Sequence, residues 1–462
     1  MLLHDAAYKM TVDSSQSRFP TEASINDECF KKRQLVESAG AFKTAAVMIY
    51  CHFSVALLCL NVMFDLSLFG LPIFILRKMQ IIPNKLYLSI TTFIINWTTP
   101  IVFFMPMVFS GSKIYCNDIG LLEETKSKNS LLLSNHGSRI DWMVGMFVGF
   151  SRRLVVESCE RIRVGFVCEA LIQFMPLIGW YRKLVCHDIF VWRSFHRDAP
   201  TIRGNILDFH SANEPRMLFL SPEGVVVDFG PKDMAYVAAC RQFCVDQNYE
   251  PFDYVLTPRY KGSMTLMQQV RDCQGPVVSV CVAFVRDGKL LNCSLLSPDR
   301  VIPDIYTLNQ GVGGSPVDIY IHLKRMNIAQ DLKDPKRFMM ENYKEKNEIL
   351  AEWDKRTAAG SAGDKDWMSQ FDKLDTHQLE CILYQIAHAA VMIIVALCIG
   401  SLGALFKLFA ILFGLVSGCH TIGWILNSTS MESVPFETGI KSIALALQTW
   451  RGEPKGSNPK IA

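Results

Sequence analysis

The chain has 462 residues, of which 50% are apolar, with a net charge of only +3 and a mean hydropathy of +0.19. That hydropathy points to membrane segments, and so small a charge, with no Lys/Arg run interleaved with aromatics, gives no reason to expect nucleic acid as a partner. Its 15 cysteines show no paired spacing (Cys240 and Cys244 are four apart), which excludes a disulfide framework or zinc site as the organising feature and fits a reduced, cytosol-facing domain.

Residues 1–42 form a polar tail with no apolar core behind Met1, so no signal peptide is expected. Residues 43–110 read as N-terminal membrane-embedded helices. Thr44 to Phe64 is free of formal charge and long enough to cross a bilayer core. Asp65 is expected to interrupt it before Leu66 to Leu76 continues. Leu86 to Phe109 is also uncharged, but Asn96, five hydroxyl residues, Pro100 and Pro106 make it a kinked or shallow helix. Lys31, Lys32, Arg33 and Lys43 favour a cytosolic N-terminus; Arg77, Lys78 and Lys85 pull against that reading.

Residues 111–345 read as an α/β domain, a mixed sheet covered by helices. The expected strands are 130–134, 188–192, 216–221, 253–257, 277–285 and 316–323. The expected helices are 196–211, 232–246, 262–273 and 334–354, the last a charged, solvated one. A linker (346–377), a C-terminal transmembrane hairpin (378–427) and a polar tail (428–462) complete the chain. The hairpin rests on the uncharged runs Cys381 to Phe406 and Leu408 to Leu426.

Chemistry-bearing residues fall where expected strands end, the place where α/β folds assemble sites. His136 follows 130–134, and Asp141 lies five residues on. On a helix the two would sit about 140° apart, but a turn through Gly137-Ser138 can bring the carboxylate to a ring nitrogen, fixing the tautomer for proton transfer. The plainer alternative has Asp141 capping a helix that starts near Trp142. Arg193 ends Ile189-Phe190-Val191-Trp192-Arg193 and can grip a phosphate with a planar fork of donors, or pair with Asp198. Glu223-Gly224 follows Met217 to Pro222. There glycine permits a tight turn with exposed N–H groups and glutamate can accept from substrate hydroxyls; an ordinary turn is the alternative. Pro258 in Val255-Leu256-Thr257-Pro258-Arg259 is strand-ending punctuation. The neighbours His187 and Asp188 would point to opposite faces of a strand and are read as structural.

In this order and spacing the four blocks resemble the glycerolipid (lysophospholipid) acyltransferase family. Its motifs are Asn-His with Asp five beyond the His (Asn135, His136, Asp141), a strand ending in Arg (Arg193), Phe-Pro-Glu-Gly-Thr (Leu220 to Val225) and a Val/Leu strand with Pro (Val255 to Pro258). Asp141-Trp142, Thr257-Pro258-Arg259 and Lys261-Gly262 look most like the lysocardiolipin and lysophosphatidylinositol acyltransferase branch. The resemblance covers residues 45 to 290. It implies acyl-CoA as co-substrate, a lysophospholipid acceptor, no cofactor or metal, and a membrane location, the endoplasmic reticulum or mitochondrion. It also implies His136 and Asp141 as a general-base pair, with Arg193, Glu223 and Gly224 holding the glycerol-phosphate. Two departures stand out: Ser221 replaces the usual Phe, and Val225 replaces the Thr, removing a donor worth about 0.5–1.5 kcal/mol. They motivate an alternative, a catalytically weakened protein of this fold that binds lipid or a partner. A transporter and an acyltransferase of the His-His-x-x-x-Asp class fit the sequence less well.

Overall fold

The computed structural model describes residues 41–103, 108–150, 163–228, 230–297, 299–309, 314–328, 334–358, 366–374 and 378–399. Residues 1–40 of the expected N-terminal tail, the C-terminal tail and the second arm of the C-terminal hairpin lie outside them.

Strand β2, Ser130–Ser134, is buried along its whole length, as its near-continuous apolar sequence requires of a central strand covered on both faces. It lies between β5, Arg216–Leu220, and β6, Val277–Arg286, and runs parallel to both. Beyond β5 come β3, Arg163–Glu169, and β4, Ile189–Val191, also parallel. On the other side β6 pairs antiparallel with β8, Val317–Arg325. Then β1, Ile114–Cys116, joins parallel to β8. The sheet order is β4-β3-β5-β2-β6-β8-β1-β9, with β7, Lys289–Leu290, on β6 and β9 being Asp372–Lys373. Five neighbouring strands thus point the same way, and their C-terminal ends share one edge of the sheet.

Alternation along the strands divides the core. Leu132, Met217, Phe219, Val278 and Val280 pack with the apolar helix Asp141–Phe150. Leu131, Leu133, Leu218, Val277 and Cys281 pack on the other face with Ile202, Ile206, Leu266, Met267 and Met339. Those residues come from Phe195–Ala212, Tyr260–Asp272 and Pro335–Ala358.

Five of the six expected strands form. The sixth, 253–257, makes no ladder; Pro258 follows it, and the Leu256 N–H goes to the Glu223 side chain instead. Helix Pro335–Ala358 is not merely solvated: Met339, Tyr343, Lys346, Leu350 and Trp353 are buried. The expected linker from 346 therefore contains ordered structure, including β9, whose Asp372 and Lys373 pair with β1.

Asp65 does not interrupt the first apolar segment. Helix Ala41–Asp65 continues through a π-turn, Leu66–Gly70, into Leu71–Lys78. The stretch Ile49–Lys78 is, among the described residues, long and apolar enough to cross a membrane by length and composition. The helix tolerates Asp65 because its carboxylate is fully buried and bonded, accepting from Thr98 Oγ1 at 2.6 Å and meeting His388 Nε2 at 2.9 Å. Asn61 Nδ2 donates to Gln385 at 3.4 Å one turn earlier. The two pairs advance together, so helix Gln378–Ile399, the described part of the expected hairpin's first arm, runs in the same sense as Ala41–Asp65. Leaving a buried hydrogen-bonding group without its partner costs about 1–3 kcal/mol, and more for a charged group, whereas replacing both partners with apolar groups is often nearly neutral. His388→Leu should therefore lower the thermal midpoint of the full chain in detergent, and Asp65→Leu combined with His388→Leu should restore most of it. A single variant as stable as the native chain would show that the pair does not hold the helices.

Helix Asn84–Phe103 is less apolar than a free span. Thr91, Thr92, Thr98 and Thr99 return hydrogen bonds to carbonyls one turn back. The fully buried Arg163 guanidinium donates to Thr91 and to the Leu88 and Val185 carbonyls. This polar inner face ties the helix to β3 of the α/β domain.

Candidate active site

The shared C-terminal edge of the parallel strands carries three of the four sequence blocks directly: β2 leads into His136, β4 into Arg193 and β5 into Glu223. Asn135 starts the first loop by imitating a strand. Its side chain accepts from the Val282 N–H at 2.8 Å and donates to the Val282 carbonyl at 3.1 Å. This pins the loop to β6 and explains the need for Asn beside the His.

His136 Nδ1 lies 2.7 Å from Asp141 Oδ2, with the side chains 27% and 12% exposed. Asp141 is the first residue of helix Asp141–Phe150, where the helix dipole favours a carboxylate. It also accepts from the Ser138 hydroxyl and, at 3.4 Å, from the Ser138 N–H. The two expected roles of Asp141, helix start and histidine partner, therefore coexist. Nε2 is the ring's other nitrogen. A pocket beside the pair is lined by Asn135, Gly137, Asp141, Tyr254, Phe284 and Cys293.

Glu223 joins the site from behind. It is 3% exposed, and its carboxylate accepts from the His136 N–H at 2.9 Å and the Leu256 N–H at 3.3 Å. Burial pushes its pKa up to about 7 despite those two bonds. The residue expected to meet substrate hydroxyls thus spends its oxygens holding the main chain of two other blocks. The Arg259 N–H completes the link by donating to the Pro222 carbonyl at 2.9 Å.

Gly224 takes φ +73°, a conformation suited to glycine, and its N–H closes a turn on Ser221. Its carbonyl accepts from Arg193 Nη2 at 3.0 Å. A Cβ added to Gly224 would sit 3.4 Å from the Arg259 guanidinium, so two arginines flank this turn. Arg193 also meets Glu169 at 3.3 Å. The alternative partner, Asp198, is instead bonded to the Trp192 and Ser194 N–H groups. His187 and Asp188 are structural, as expected: His187 Nε2 lies 3.2 Å from Thr91, and Asp188 pairs with Arg182 at 2.5 Å. Val225, the departure from Thr, packs partly into an apolar cluster with Val227, Val237 and Leu256.

Two supporting residues escaped the sequence reading. Lys346 Nζ donates to the Leu133 carbonyl at 2.6 Å and Tyr343 Oη to the Ser134 carbonyl at 3.1 Å, fixing the end of β2. Burial drives the Lys346 pKa down to about 8. Both lie on a helix far along the chain, and their only sequence signal is a Tyr and a Lys three apart on the apolar face of a charged helix. Among the described residues no group of three or more His, Cys, Asp or Glu could hold a metal ion.

Residues 118–283 match the family model described as Acyltransferase. Over 247 residues the chain is 24% identical to "Probable 1-acyl-sn-glycerol-3-phosphate acyltransferase 5" of Arabidopsis thaliana, covering 53% of this chain and 56% of that protein. It is 22% identical over 209 residues to "1-acyl-sn-glycerol-3-phosphate acyltransferase 2" of Brassica napus, covering 45% and 46%. It is 20% identical over 224 residues to "Lysophosphatidylinositol acyltransferase 10" of Caenorhabditis elegans, covering 48% and 52%. The chain thus spans about half the length of the curated relatives it matches. No solved structure gives a significant match.

Proposed function

We propose that this chain, whose residues 118–283 match the Acyltransferase family model, is an enzyme that moves a fatty acyl group from acyl-CoA to the free hydroxyl of a lysophospholipid. The observation that carries this reading is the 2.7 Å approach of His136 Nδ1 to Asp141, at a sheet edge where Arg193 and the Glu223-Gly224 turn are linked to the same loop. Asp141 fixes the ring so that Nε2 takes the proton of the acceptor hydroxyl. The oxygen attacks the thioester carbon, the tetrahedral adduct collapses, and CoA leaves as its thiol with the proton returned from the imidazolium. Neither residue is acylated. Arg193 binds the acceptor phosphate, and the Gly224 turn lies beside it. Glu223 acts by holding the His136 main chain.

The relatives' names denote lysolipid acceptors, which supports that substrate class. An acceptor drawn from the bilayer also gives the apolar stretch Ile49–Lys78 a purpose. In this proposal the catalytic domain faces the cytosol at an endoplasmic reticulum or mitochondrial membrane, a reading supported by the apolar stretch Ile49–Lys78.

The test is a panel of lysophosphatidic acid, lysophosphatidylinositol and lysocardiolipin assayed with several acyl-CoA donors, using the full chain in membranes. Acyl transfer to at least one lysolipid, at a rate depending on both substrates, is the expected result. Absence of transfer to every acceptor, from membranes that hold the folded chain, would leave the reading without support.

A further inference from the structure

Between β3 and β4 the chain makes an excursion, a 3₁₀ turn at Ala170–Phe174 and a short helix at Ile178–Leu184. A segment of this kind on a water-facing domain should hide its apolar side chains. Instead Leu171 is 43% exposed, Phe174 58% and Trp180 45%, and Trp192, just past β4, is 39% exposed. Phe174 and Trp192 are in ring contact, their centroids 6.4 Å apart. The other face of the short helix is fully used: Tyr181 and Val185 pack with Val62 and Leu66 of the long N-terminal helix. The short helix that carries Trp180 is therefore packed against the stretch Ile49–Lys78.

Charge separates this patch from an ordinary protein-binding surface. Lys183, Arg193 and Arg197 are exposed around it, and the Arg197 guanidinium lies 4.1 Å over the Trp192 ring. Each acidic side chain nearby is already engaged: Glu169 by Arg193, Asp188 by Arg182, and Asp198 by two main-chain N–H groups. Aromatic rings beside the cations Lys183 and Arg197 are the chemistry of the headgroup layer of an anionic bilayer, where Trp sits at the interface and cations are drawn to the anionic lipids.

We infer that Ala170–Leu184 and Trp192 form a foot that rests in the headgroup layer of an anionic membrane beside Arg193. An amphiphile leaving that layer would meet Arg193 first, so the foot would deliver the phosphate end of the acceptor while its acyl chain stayed in lipid. The membrane contact itself does not depend on the catalytic reading, and its test does not measure activity.

The full chain is reconstituted into phosphatidylcholine vesicles with and without phosphatidylserine, carrying lipids brominated either near the headgroup or deep in the acyl chain. Emission lost in Trp180→Phe and in Trp192→Phe isolates the signal of each ring. The expected result is quenching of both signals by shallow bromines, less by deep ones, and little by iodide in water. In the serine-containing vesicles Lys183→Glu with Arg197→Glu should reduce the shallow quenching. Strong iodide quenching would mean that the rings face water. Protection from iodide and bromine alike would mean that the chain's own residues cover them. Either outcome overturns the foot.

Discussion

His136→Ala should lower acyl transfer by roughly 10²–10⁴-fold, the usual worth of general-base catalysis, while leaving membrane insertion and thermal stability close to native. The ring is part-exposed and bonded to Asp141 at the site's edge, so its loss opens no large core cavity. The main-chain N–H that Glu223 holds is retained in alanine. The loss should fall on kcat rather than on KM for the lysolipid, because the imidazole acts as the proton moves. Asp141→Asn should fall in the same range, for a different reason: an amide facing Nδ1 no longer fixes the tautomer. That variant also disturbs the two Ser138 contacts, so alanine at 136 is the cleaner probe. Near-native turnover by His136→Ala would remove the dyad from the chemistry.

Glu223→Gln should have the second-largest effect, with a distinctive dependence on pH. An amide offers one acceptor oxygen where the carboxylate offers two. Either the His136 or the Leu256 N–H would then face an amide donor, at a cost of about 1–3 kcal/mol. If all of that is lost from the transition state, turnover falls roughly 5–150-fold. Stability carries the second signature. The folded chain holds the Glu223 proton up to about pH 7, whereas the ordinary carboxyl releases it near 4.5. Below 4.5 both states are protonated and no penalty arises. Between 4.5 and 7 the unfolded chain binds fewer protons than the folded one, so this group's contribution to stability falls as pH rises and is fully lost above 7. Glutamine has no such loss. The variant should therefore be less stable than the native chain near pH 5, with the gap narrowing towards pH 8. Parallel stability curves for the two proteins would show that Glu223 does not titrate in this window. Lys346, buried nearby, favours the ionised carboxylate but does not overcome its burial.

The contrast between these residues shows how the site divides into legible and hidden parts. His136 and Asp141 were readable because their chemistry depends on a local turn: with Gly137 and Ser138 between them, five residues of chain can bring the two together wherever the rest of the fold goes. Arg193 and Gly224 were readable as ends of apolar strands, and parallel strands deliver their ends to one edge. Glu223 was readable as a site residue, but its direction was not. Whether a carboxylate beside a glycine turns towards ligand or inward depends on which N–H groups the packed neighbours present, here His136, 87 residues away in the chain, and Leu256. Asp65 makes the same point in the apolar helices. Read alone, a charge in a hydrophobic run is a break; in the structure it is bonded by Thr98 and His388, the latter 323 residues on.

By itself the sequence determined the apolar strand at 130–134, the strand ends at His136, Arg193 and Glu223, and a long uncharged stretch after residue 43, because these depend on local composition and local chain geometry. Only the tertiary structure decided that the Glu223 carboxylate turns inward to brace the His136 main chain. It alone decided that helix Pro335–Ala358 buries Tyr343 and Lys346 beneath the end of β2, and that Trp180 and Trp192 stay uncovered. Those outcomes turn on which groups from distant parts of the chain become neighbours, and spacing along one strand of sequence carries no record of that.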